Sequence, residues 1–151
     1  MLVSEEVPLA RWGDKALINE AAGIFMPPAL DDYAGLVKLS GPSGSQRRVI
    51  EFYRLVVSAV VAHDLQVREV QLDERRHWWV TFEDGLTLSL GREDIEYRLG
   101  QFLRVYPNLV EKPQRRPARI DMRYAHGFAV RWHEPAGGDA VAEKKKTQEK
   151  V

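Results

Sequence analysis

Cysteine is absent from all 151 residues, so the chain has no disulfide, thiol nucleophile or thiolate metal site, and its redox compartment stays open. Long apolar runs are absent too: no window approaches the roughly 18 apolar residues of a membrane span. Neither sign of charge is in excess. Lys+Arg and Asp+Glu are both 22, which removes the overall field that would draw in nucleic acid or an anionic membrane. The start, "MLVSEEVPLARW", lacks a basic stretch followed by an apolar one, so no secretory signal is expected. Histidine is scarce: His63, His77, His126 and His133 form neither H-E-x-x-H nor an i, i+4 pair, and no metal is expected. The acidic pairs Asp31-Asp32, Asp73-Glu74, Glu83-Asp84 and Glu93-Asp94 fall in turns and helix starts, where solubility and capping explain them better than acid–base work. "GPSGSQRR" lacks the Gly-Lys-Ser/Thr of a phosphate loop. The chain is not expected to be an enzyme or to carry a cofactor.

What is present is 44% hydrophobic residues, enough for a modest core, in patterns of two periods. Residues 7–12 suit a short strand, with Pro8 confined to its start or to an edge. Residues 17–26 suggest a hairpin around Asn19 and Gly23, and residues 36–39 a brief strand before a Gly/Pro/Ser cluster. Val49, Phe52, Tyr53, Val56 and Val60 repeat at three and four and predict a helix that ends near His63-Asp64. Ser43 and Gln46 are spaced as a capping box for it. Residues 67–72, 77–82 and 86–91 alternate as strands, with Glu83-Asp84-Gly85 as a hairpin turn, and together predict an antiparallel meander with one buried face. Ile95, Leu99, Phe102, Leu103 and Tyr106 mark a second helix over about residues 93–106, which Pro107 is expected to stop. Residues 119–132, "RIDMRYAHGFAVRW", read as two short strands around Gly127, with Ile120, Met122 and Tyr124 on one face. Residues 134–151 have no periodicity and are expected to be a disordered tail. The fold class is α+β: a mostly antiparallel sheet, two helices on one face, and a C-terminal hairpin with an exposed edge strand.

An open edge strand is either guarded or used. Phe128, Val130 and Trp132 can cover the core while Ala129 and Arg131 face out. A partner segment can then add to the edge, with backbone hydrogen bonds giving affinity. The plainer reading is an ordinary last strand, with Arg131 and the charged tail as edge guards. A third reading is a nucleic-acid or anionic-ligand module that uses Arg75, Arg76 and the outward face of Trp79. Trp78 is expected to point inward with Val80 and Phe82, which leaves Trp79 alone on that face.

The stretches "VPLARWG", "GPSGS", "FYRLV", "TFEDGLTLSLGRED", "FLRVYPNL" and "IDMRYAHGFAVRW" together resemble the FtsQ family of bacterial cell-division proteins, called DivIB in Gram-positive bacteria. The likeness covers residues 7–132. Its most specific pieces are P-x-A-R-W, L-x-L-G-R and D-x-R-Y-x-x-G-x-A-V-x-W. The resemblance implies a non-catalytic scaffold of the division machinery, a single-pass protein of the inner membrane with a periplasmic POTRA domain and a C-terminal β domain. Only the β domain is matched, with the domain expected over residues 1–133, so the chain is expected to be a fragment that lacks the transmembrane helix and the POTRA domain. The implied partners are FtsB-like and FtsL-like proteins, with no nucleic acid, and the implied location is the periplasmic side of the membrane at the division septum. The implied partner-binding residues are Tyr124, His126, Gly127, Phe128, Ala129, Val130, Arg131 and Trp132. Arg75 joins them as a fork for an acidic side chain, with Arg76 beside it. One departure is that relatives often carry Pro-Asn or a small polar residue before the turn glycine, where this chain has Ala125-His126. Histidine tolerates a left-handed backbone less well and can titrate near neutral pH, although a solvated turn histidine is the plainer reading.

Overall fold

Alternating strands need a second layer to cover their apolar side, and here two amphipathic helices provide it. The structure is a computed structural model and describes residues 7–27, 29–124 and 127–133. The strands are β1 (Pro8–Trp12), β2 (Ala16–Asn19), β3 (Ile24–Phe25), β4 (Lys38–Ser40), β5 (Val67–Leu72), β6 (Trp78–Phe82), β7 (Thr87–Gly91), β8 (Pro117–Asp121) and β9 (Ala129–Trp132). The helices are α1 (Gln46–Val60) and α2 (Ile95–Leu109). One sheet holds the strands in the order β3-β2-β1-β4-β5-β6-β7-β8-β9. Pairs β1–β4, β4–β5 and β7–β8 are parallel, and the others are antiparallel. This is the expected α+β class. The expected tail, residues 134–151, lies outside the described residues.

Both helices pack on the same side of the sheet. Phe52 of α1 meets Trp78 at 4.6 Å between ring centroids, and Phe102 of α2 stacks on Phe82 at 6.0 Å. Trp78, Val80 and Phe82 are buried, as the alternation of β6 predicted, and they belong to one continuous core with Val49, Val56 and Leu99.

Several local expectations are corrected. The N-cap of α1 is Ser45, not Ser43, and it makes no side-chain cap bond, because its Oγ donates to the Pro42 carbonyl at 2.6 Å. Pro107 does not stop α2, which runs to Leu109. A proline two residues before the end removes only the hydrogen bond to the Leu103 carbonyl, and the buried Leu109 keeps the last turn on the core. Ser89, expected on an open face, is wholly buried between its ladder neighbours Trp79 and Asp121. The final hairpin is looser than a tight turn: residues 122–128 join its strands, and Tyr124 leaves the buried face while Ile120 and Met122 keep to it.

Candidate functional site

The last strand lies at one margin of the sheet and, among the described residues, pairs on one side only. Its register against β8 runs Asp121↔Ala129, Ile120↔Val130 and Arg119↔Arg131, with a bulge at residue 118 before Pro117↔Trp132. Just beyond β9, the His133 N–H donates to the Arg116 carbonyl at 2.9 Å. Backbone groups alternate along a strand, so Arg131 also turns its N–H and C=O toward β8. Val130 and Trp132 then turn theirs to the open flank. Side chains alternate independently of this. Phe128 and Val130 are buried, Trp132 packs partly against the core, and Arg131 is exposed. Ala129 faces away from the helices yet is also buried, at 9% exposure. The side chains of Phe128, Ala129 and Val130 are therefore committed to the fold, and within the strand it is the Val130 and Trp132 backbone that a partner can meet.

The loop that leads into β9 is pinned from two sides. The Arg98 guanidinium on α2 donates to the Met122 carbonyl at 2.5 Å and to the Glu93 carbonyl at 3.0 Å. Arg123 grips Asp121 through two side-chain bonds, at 2.8 and 2.6 Å, and its backbone N–H adds a third at 3.0 Å. Burial pushes the Asp121 carboxyl up, but these bonds and the Arg123 charge outweigh it and leave the group below its ordinary value. The same hydrogen bond and charge push Arg123 up. Gly91, at φ 82°, lets the Arg123 stem cross β7; a Cβ there would sit 3.1 Å from Arg123 Cγ. The loop thus presents Tyr124 at 44% exposure. Ala125 and His126 lie outside the described residues, and Gly127 has a positive φ of 157°, a backbone that favours glycine. On the strand, the Arg115 guanidinium lies 4.2 Å from the centroid of the Trp132 ring, a cation–π distance. The Trp132 indole N–H is buried and meets no acceptor among the described residues.

The predicted site is thus brought together over Tyr124 and Gly127 to Trp132, but not as far as Arg75. Arg75 sits in the β5–β6 turn, at the same end of the sheet as the Tyr124 loop and three to four strand spacings, roughly 14–19 Å, from β9. Asp73 shapes that turn, accepting from the Arg75 and His77 amides, each at 2.9 Å, and from Trp79 Nε1 at 3.0 Å. Arg119 covers the Trp79 ring at 5.0 Å, so the indole is not an open stacking platform. Arg75 borders an open hollow of about 540 Å³ that also holds Asp73 and Glu74, an unwelcoming place for an anion. Sequence reasoning missed Arg98, Asp121 and Arg123. Asp121 and Arg123 could have been found, because residues two apart in a strand share a face. Arg98 could not, because the Met122 carbonyl it holds lies on another element. Among the described residues no helix is long and apolar enough to cross a membrane, and no group of three or more His, Asp and Glu could hold a metal ion.

Comparison with known proteins gives a consistent result. The profile of the family described as "Cell division protein FtsQ/DivIB, C-terminal" matches residues 10–123. Relatives called cell division protein FtsQ include that of Xanthomonas campestris pv. campestris, 34% identical over 95% of this chain and 51% of the relative. That of Escherichia coli (strain K12) is 33% identical over 85% of this chain and 48% of the relative, and that of Methylomonas methanica 30% identical over 86% and 52%. The chain spans about half the length of these curated relatives. It belongs to the FtsQ/DivIB family of cell-division proteins, whose C-terminal domain it carries.

Proposed function

We propose that this chain is a non-catalytic docking domain of the division machinery, which binds an FtsB-like protein, and through it an FtsL-like one, by adding a partner strand to β9. The longer protein would hold it on the periplasmic side of the inner membrane, at the septum, through a transmembrane segment outside this chain. The observation that carries the reading is the one-sided pairing of β9, with the Val130 and Trp132 backbone groups turned to the open flank. A row of unpaired donors and acceptors is a template for a further strand. Tyr124, exposed at the head of that strand, is a rigid amphipathic anchor of the type that dominates interfaces.

Amide hydrogen exchange tests this with residue resolution. In the free protein the Arg131 and His133 amides are expected to exchange slowly and those of Val130 and Trp132 quickly. A peptide from the FtsB-like partner should slow Val130 and Trp132 selectively. Binding that leaves those two amides unprotected would show that the partner docks elsewhere.

A further inference from the structure

The outward face of the last hairpin carries two like charges in direct opposition. Arg119 on β8 and Arg131 on β9 are ladder partners. Ile120 and Val130 beside them are wholly buried, so the alternation of each strand sends both arginines to the face away from the helices. Like charges directly opposite across an antiparallel pair weaken it. Arg119 withdraws over the Trp79 ring, and Arg131 stays exposed. The neighbouring cations are occupied: Arg123 with Asp121, Arg116 near Asp84 at 3.6 Å, and Arg115 on Trp132. Among the described residues neither Arg119 nor Arg131 forms an ion pair. The cross-sheet row through them reads Glu69, Thr81, Thr87, Arg119, Arg131, and its next place is the open flank of β9.

Resting on the strand-addition reading, we infer that the incoming strand carries an acidic side chain at the position opposite Arg131, and that this contact fixes its register. Arg131 turns its backbone toward β8, so in an antiparallel addition the residue facing it occupies a non-hydrogen-bonded place. There the Cα atoms approach to about 4.5 Å and side chains come closest. A carboxylate at that place meets the Arg131 fork directly and relieves its repulsion from Arg119. A slip by one residue sends the acid to the other face, beside Val130 and Trp132, where it would be desolvated without a cation. The partner segment therefore has an apolar–acidic–apolar pattern. A protein strand suits this place better than a nucleic acid, because one arginine pair aligned with a free backbone flank is not a phosphate-tracking stripe, and the chain has zero net charge.

The test uses a synthetic peptide covering the periplasmic segment of the FtsB-like protein from the same organism, with each acid replaced in turn by glutamine. Binding to the chain and to its Arg131→Glu and Arg131→Gln variants is measured by calorimetry, with amide exchange at Val130 and Trp132 as the second readout. Arg131 is exposed, so both variants are expected to fold. Arg131→Glu should weaken the parent peptide about tenfold. One glutamine peptide should lose its dependence on Arg131, and lysine at that same peptide position should restore affinity for Arg131→Glu. Equal affinity for all three proteins, with Val130 and Trp132 still protected, would overturn the acidic contact and leave strand addition standing. No protection at those amides by any peptide would remove strand addition itself, and this inference with it. Arg131-dependent binding of a single-stranded oligonucleotide, with the peptide unaffected, would also overturn it.

Discussion

Trp79 and Asp73 are tied across the β5–β6 turn: the indole N–H donates to one carboxylate oxygen at 3.0 Å while the other oxygen takes two backbone amides of the turn. One side chain thus fixes both the turn, with Arg76 held at φ 70°, and the tryptophan on which Arg119 rests. Asp73→Ala removes all three bonds and is expected to cost about 1–3 kcal/mol. Urea unfolding followed by tryptophan fluorescence measures it. An unchanged midpoint would mean that the backbone bonds from Asp73 N–H to the His77 carbonyl and from Arg76 N–H to the Asp73 carbonyl suffice to hold the turn.

Acid should weaken the fold through the same kind of group. At Asp121 and Asp73 burial is the largest influence and raises the carboxyl, but the hydrogen bonds they accept prevail, and both lie below their ordinary value. A carboxyl whose folded value is depressed stabilises fully above its unfolded value, about 3.9, and loses that contribution as pH falls through the folded value. Asp121→Asn should therefore melt below the parent by a constant margin from about pH 5 to 8, and the two should converge below about pH 4. A gap that widens in acid would reverse the sign assigned to Asp121.

Much of this architecture was legible because period two and period three-to-four report which side of an element is apolar. The stripes of α1 and α2, the inward row Trp78, Val80 and Phe82, and the β5–β6–β7 meander follow from that alone. Neighbour identity is a different matter. Nothing in the pattern of residues 36–39 says that the strand lies parallel between β1 and β5, since a face preference does not specify a partner. Pro107 misled because a missing N–H matters in proportion to the bonds still to come, and few remain in a last turn. At the edge, the inward and outward residues of β9 were readable, and the family motif pointed to Tyr124. The grip of Arg98 on the Met122 carbonyl and the opposition of Arg119 and Arg131 appear only once strands and helix are in register.

Tyr124 and Phe128 should separate binding from folding, although the family motif holds them four residues apart. Phe128 is 4% exposed and part of the core, so Phe128→Ala is expected to cost about 3–5 kcal/mol of stability. Its effect on partner affinity should then track the unfolded fraction. Tyr124 stands clear of the core at 44% exposure. Tyr124→Ala should lower the melting temperature far less than Phe128→Ala does, while it weakens the FtsB-like peptide roughly thirtyfold, the loss of about 2 kcal/mol typical of an interface anchor. Calorimetry on both variants, at a temperature where each is folded, decides the matter. A Tyr124→Ala protein that binds like the parent would leave backbone addition along β9 to supply the affinity alone, whereas loss of stability without loss of binding would place Tyr124 among the groups that hold the loop.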